Sequence, residues 1–113
     1  AENIELQDFS ARFIAGRCAD AGGNVRLIMS NTVPGLDLSN GLLAKPRCDR
    51  GQLLIPLLSQ SAMERVDIRI ASDGTYSATT FLEGDRTEQS ALLALAGFRP
   101  VAGGYRMVRK GRF

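Results

Sequence analysis

The sequence predicts an α+β fold: a small mixed β-sheet with two helices packed on it, opening β-α-β and closing α-β around an elaborated, β-rich middle. Three observations predict it. Apolar residues recur at helical spacing from Ala11 to Cys18. Two alternating runs face each other across Ser72-Asp73-Gly74. A third segment, from Asp85 to Gly97, carries both a helix start and a helix stop signal.

In order along the chain, Asn3 to Gln7 alternates (Ile4, Leu6) and reads as a first strand. Asp8 can cap a helix running to about Asp20, with Ala11, Ile14, Ala15 and Cys18 on one face and Phe9 and Phe13 alongside; Gly22-Gly23 ends it. Asn24 to Met29 is the second strand, and Thr32-Val33-Pro34-Gly35 a turn. Leu36 to Arg50 carries Leu38, Leu42 and Leu43 between breakers, then a loop from Lys45. Gln52 to Leu58 is short and holds Pro56, which favours a buried strand over a helix.

Val66 to Ile70 alternates cleanly and Thr75 to Glu83 returns as its hairpin partner. Asp85-Arg86-Thr87-Glu88 has capping-box spacing, and Gln89 to Ala96 follows as a helix. Gly97 stands at the C′ position, Phe98 can fold back on Leu93, and Pro100 stops continuation. Gly103-Gly104 turns the chain into a last strand, Tyr105 to Arg109. No repeat or linker divides the chain, so residues 1–113 read as a single domain.

Composition narrows the function classes. With 14 basic and 12 acidic residues the net charge is +2, too balanced to demand nucleic acid as a partner. The closing cluster Arg106, Arg109, Lys110 and Arg112, with Tyr105 and Phe113 interleaved, reads first as a solvated strand face and frayed terminus; its functional reading is a phosphate-tracking patch with aromatic stacking, and anionic headgroups or an acidic partner are a smaller possibility. No apolar run reaches the roughly 18 residues of a membrane span. The chain contains no histidine, so neither a histidine-based nucleophile nor a histidine metal site can form.

Carboxylates can be paired on paper (Asp8 with Asp20, Asp37 with Asp49, Asp67 with Asp73), but caps, turns and strand faces account for each. The glycine pairs lack the context of a phosphate cradle. No enzyme, catalytic residue, cofactor, metal or small-molecule substrate is therefore expected.

Two cysteines remain, Cys18 and Cys48. They are either one structural disulfide or two buried thiols; the even count and the opening Ala1-Glu2-Asn3, which looks like a mature exported start, favour the disulfide. Export to the periplasm or beyond is the matching expectation. The middle segment is rich in large aliphatics. One reading is simply core; the other is a surface that accepts a partner protein, with Leu42, Leu43, Lys45, Arg47, Arg50, Leu53, Ile55 and Leu57 as candidates.

The ends of the chain resemble a known family. Ile4 to Asp8, the expected apolar helix through Phe13 and Ile14, Gly23 to Ile28 and Val33-Pro34-Gly35, with the closing Ser90 to Leu95, Gly97-Phe98 and Tyr105 to Val108, are similar to the N-terminal (N0) domain of outer-membrane secretins and to the signalling domain of TonB-dependent receptors. The resemblance does not extend to residues 36–84 or to either cysteine. It implies a periplasmic, non-catalytic interaction or scaffold module of a secretion, pilus or transport assembly, whose partner is an envelope protein. The alternative is a small secreted inhibitor or immunity protein that plugs an enzyme cleft with a rigid loop such as Lys45 to Gly51.

Overall fold

The computed structural model describes residues 2–29 and 41–113. The turn expected at Thr32 to Gly35, together with Leu36 and Leu38, lies outside the described residues. The architecture corrects the predicted class. Among the described residues the fold is one nine-stranded antiparallel sheet with a single short helix, not a mixed sheet carrying two. The strands are β1 (Glu2–Ile14), β2 (Arg17–Met29), β3 (Leu42–Ala44), β4 (Arg47–Asp49), β5 (Gln52–Ser59), β6 (Glu64–Ile70), β7 (Thr75–Glu83), β8 (Arg99–Val101) and β9 (Gly104–Arg112). Helix α1 (Ser90–Ala96) precedes β8. The spatial order is β1-β2-β3-β5-β6-β7-β9-β8, with β4 also paired to β5.

The helix expected over Asp8 to Asp20 does not form; that stretch is the heart of a long β-hairpin. β1 and β2 pair antiparallel across Ala15-Gly16, both at positive φ (53° and 78°), as a twisted two-residue hairpin turn requires. Two register shifts interrupt the ladder, one between Gln7 and Ser10 and one between Arg12 and Phe13. At the first, Asp8 takes φ 51° and faces Gly23 at φ 92°. A Cβ on Gly23 would run into the Asp8 carbonyl, so the bulge demands glycine there. The predicted strands at Asn3 to Gln7 and Asn24 to Met29 are the outer ends of these two strands.

β3 and β4 are two pieces of one interrupted strand. Leu42 and Leu43 pair with Ser59 and Leu58, and Arg47 to Asp49 pair with Leu54 to Gln52. Lys45-Pro46 forms the break between them. Pro56 of β5 lies opposite that break, where a residue with no N–H costs no ladder bond.

The inner face of β5 and β6 builds the main core. Leu53, Ile55 and Leu57 stand in register with Ile70, Ile68 and Val66. Leu42, Ala44 and Val25 join them, and Phe9, Phe13, Cys18 and Ala21 of the hairpin pack over them. Thus the sheet folds back on itself and the hairpin covers its own neighbours. Cys18 and Cys48 are bonded, Cα to Cα 5.4 Å apart, and the Cys18 N–H donates to the Gly51 carbonyl at 2.9 Å.

A second core lies further along the same face. Leu82 of β7, Leu93 of α1 and Phe98 are buried, flanked by Ala96, Tyr105 and Met107. Here the predicted helix is present, ending at Gly97 (φ 103°) with the Phe98 N–H on the Leu93 carbonyl at 2.9 Å. Its start differs. The Asp85 carboxylate accepts the Thr87 backbone N–H at 3.1 Å and the Thr87 hydroxyl, and the chain enters α1 through a 3₁₀ turn (Thr87–Gln89) without a capping box. The β6–β7 hairpin forms as predicted, and the last strand extends beyond Tyr105 to Arg109 in both directions.

Two outcomes follow. Replacing both cysteines (C18S/C48S) releases a 30-residue loop in the unfolded chain and is expected to lower stability by roughly 3–4 kcal/mol. A urea titration of the variant against the oxidised protein measures it. Ala15→Asn relieves a left-handed alanine in the hairpin turn and is expected to raise stability by about 0.5–1 kcal/mol; were this segment helical, the same change would destabilise it.

Candidate protein-binding cleft

The structure separates the eight sequence candidates by strand parity. Leu42, Leu53, Ile55 and Leu57 point inward and are 0%, 4%, 8% and 1% exposed, so these four belong to the core and not to a surface. Leu43 points the other way and is 60% exposed. It lines a cleft of about 860 Å³ together with Lys45, Arg26, Glu5, Pro56 and Leu58. Arg47 and Arg50 are exposed but lie elsewhere, on β4 and at its turn.

Register explains the cleft. Glu5 pairs with Arg26, Arg26 with Leu43, and Leu43 with Leu58, which places these four in one row across β1, β2, β3 and β5. Two exposed leucines (Leu58 is 42% exposed) thus adjoin on the outer face beside the broken strand. Charge frames them. Arg26 approaches Glu5 at 3.9 Å with both groups half-exposed, a contact worth little in water. No ion pair among the described residues involves Lys45. The result is an apolar strip rimmed by Glu5, Arg26 and Lys45, suited to an extended or apolar segment of another chain.

The other charged groups have structural partners. Arg69 holds Asp49 at 2.7 Å and thereby braces β6 against β4. Arg86 and Glu64 meet at 3.1 Å, both only 12–13% exposed, and the same guanidinium donates to the Glu83 carbonyl. That pair ties the loop before α1 to the sheet. Of the carboxylates paired from sequence, Asp67 faces Arg65 and Asp73 faces Thr75 and Arg112, so these two do not converge; Asp49 faces Arg69, and Asp37 lies outside the described residues. Among the described residues no group of three or more potential metal ligands comes together. No helix there is long and apolar enough to cross a membrane.

Comparisons with family models, with curated proteins and with solved structures return no match to this chain.

Sequence reasoning reached Leu43 and Lys45 but not Arg26 or Glu5, which join the site through pairing across the sheet and so have no local signature. Parity within β5 was a usable signal for Leu58: if Leu53, Ile55 and Leu57 are inside, the alternate positions face out.

The acid limb of stability should report the β4–β6 brace. Hydrogen bonding from Arg69 holds the Asp49 carboxyl below its ordinary 3.8; burial opposes this, and the charges of Arg69, Arg50 and Arg47 add to it. Because the folded-state value is depressed, the contribution is fully present above the ordinary value and is lost as pH falls through the folded one. Unfolding midpoints measured below pH 4 are expected to drop with pH, and Arg69→Gln to make that drop shallower.

Proposed function

We propose that this protein is a non-catalytic interaction module of the bacterial cell envelope, exported to the periplasm, that receives a segment of a partner protein in the cleft beside Leu43. The observation that carries this reading is the pair of adjoining, exposed leucines, Leu43 and Leu58, framed by Arg26 and Lys45 on a face otherwise dominated by polar and charged side chains. A disulfide is compatible with an oxidising, exported compartment. The envelope assignment leans on the likeness of the closing helix, the Gly97-Phe98 exit and the final strand to secretin N0 domains. The β-hairpin at the start of the chain lends that likeness no support.

A second reading has its own observation. Arg50-Gly51 forms a tight turn at the tip of β4–β5, with Arg50 exposed at φ 53°, and the turn is anchored by the adjacent Cys48 bond and by Cys18 on the Gly51 carbonyl. A rigid, basic tip of this kind suits an inhibitor that enters an enzyme cleft, as pre-organisation lowers the cost of binding.

Site-specific photo-crosslinking separates the two. A photoreactive residue at Leu43 is expected to give one discrete adduct in intact envelopes, one at Arg50 none, and Leu58→Glu to abolish the Leu43 adduct. Adducts from Arg50 alone, with inhibition of a cell-wall hydrolase or protease by the pure domain, would establish the inhibitor reading instead. Absence of adducts from both positions would remove the cleft as a docking site.

A further inference from the structure

A different part of the same outer face has a composition the cleft does not explain. Arg99 of β8 stands directly opposite Arg106 of β9. Like charges in register repel, and both side chains are exposed. Among the described residues no ion pair involves Arg99, Arg106 or Lys110, although other cations of the sheet, Arg65, Arg69 and Arg112 among them, have carboxylate partners. Along β9, Arg106, Val108 and Lys110 alternate outward, so an apolar residue that is 48% exposed sits between two cations.

We propose that this outer face of β7, β9 and β8 docks on the anionic headgroups of a lipid bilayer. Charge complementarity identifies the occupant. The cations are spread over a sheet surface rather than gathered round a pocket, which matches an array of headgroup phosphates, and Val108 supplies an apolar contact at the centre. Two alternatives fit less well. Phe81, the aromatic residue of this face, is already covered by the Arg65 guanidinium, 5.4 Å from its ring centroid, so its ring is not open as a stacking platform for nucleobases. Strand addition by an acidic peptide at the β8 edge meets Pro100, which has no N–H to offer.

The test uses the whole oxidised chain and vesicles of phosphatidylcholine with or without phosphatidylglycerol. Sedimentation with the anionic vesicles only, weakening as salt rises, is expected. The double variant R99Q/R106Q should lower partitioning about 25-fold, taking about fivefold per basic residue at the surface. R12Q/R17Q removes the same net charge from the β1–β2 hairpin and should leave partitioning nearly unchanged. Circular dichroism should report both variants as folded, since each change is at an exposed side chain. Lack of binding to anionic vesicles by the unaltered protein, or equal losses in the two variants, overturns the proposal. So does preferential binding of single-stranded DNA that only R99Q/R106Q abolishes; that result would make nucleic acid the occupant.

Discussion

The covalent link between Cys18 and Cys48 sets the arrangement on which the rest of the structure depends. The β1–β2 hairpin is paired to itself along most of its length but joins the remaining sheet through only three register pairs, Val25–Ala44, Arg26–Leu43 and Leu27–Leu42. A two-stranded hairpin is marginal in water, and three pairs at one end of a 13-residue strand leave the other end free to swing. The disulfide fixes that second end, close to the hairpin turn, onto β4. With both ends held, Phe9, Phe13 and Ala21 pack against the buried cluster that includes Leu53, Ile55 and Leu57, and the inner face of β5 becomes a core rather than an open surface. A constraint worth roughly 3–4 kcal/mol is large beside a net stability of about 5–15 kcal/mol. The same bond holds the Arg50 turn and, through the docked hairpin, supports one side of the cleft.

How legible this was depended on whether the signals were local. The β6–β7 hairpin has clean alternation and an Asp-Gly turn; α1 has its glycine exit and its Leu93–Phe98 contact; β5 is a short aliphatic run. All three formed where predicted. The β1–β2 hairpin was misread because its bulges break the period of two. On β1, Ile4 and Leu6 share a face, then the bulge at Asp8 shifts the phase and Phe9 and Phe13 continue it. On β2 the second shift, beside Cys18, separates Cys18 from Ala21 by three positions instead of two. With a tight turn between them, Ala11, Ile14, Ala15 and Cys18 fall on a helical template by coincidence. The turn residues, Ala-Gly rather than Asn-Gly, gave no warning. The resemblance at the N-terminal end rested on that same helix.

The partition of leucines shows why residue type alone could not locate the site. The middle segment holds enough aliphatics for a core and a surface, and only the pairing decides which is which. β5 alternates, so one run of residues contributes Leu53, Ile55 and Leu57 to the interior and Leu58 to the cleft. Leu54 also points outward yet is 4% exposed; it lies in register between Arg47 and Arg69, side chains whose aliphatic stems shield apolar neighbours. Leu43 and Leu58 have no such cover. An exposed pair beside a shielded one on the same face points to the uncovered pair as the place where another molecule completes the surface.

The cleft and the basic face belong to one cross-strand row. From register, it runs Glu5, Arg26, Leu43, Leu58, Arg65, Phe81, Arg106, Arg99. Four strand steps separate Leu43 from Arg106, about 19 Å at the usual inter-strand spacing. Were the sheet flat, a bilayer against Arg99 and Arg106 would also cover the cleft. Sheets twist by roughly 20–25° per strand, so four steps turn the outward normal by about 80–100°. At that average twist, β8 and β9 set on headgroups would leave Leu43 facing sideways along the membrane surface, with Leu58, one step nearer, turned about 60–75°. Twist makes the two proposals compatible: on a sheet turned this far, the face proposed for headgroups and the cleft proposed for a partner segment do not compete for the same neighbour, and the disulfide-held hairpin is the wall between core and cleft.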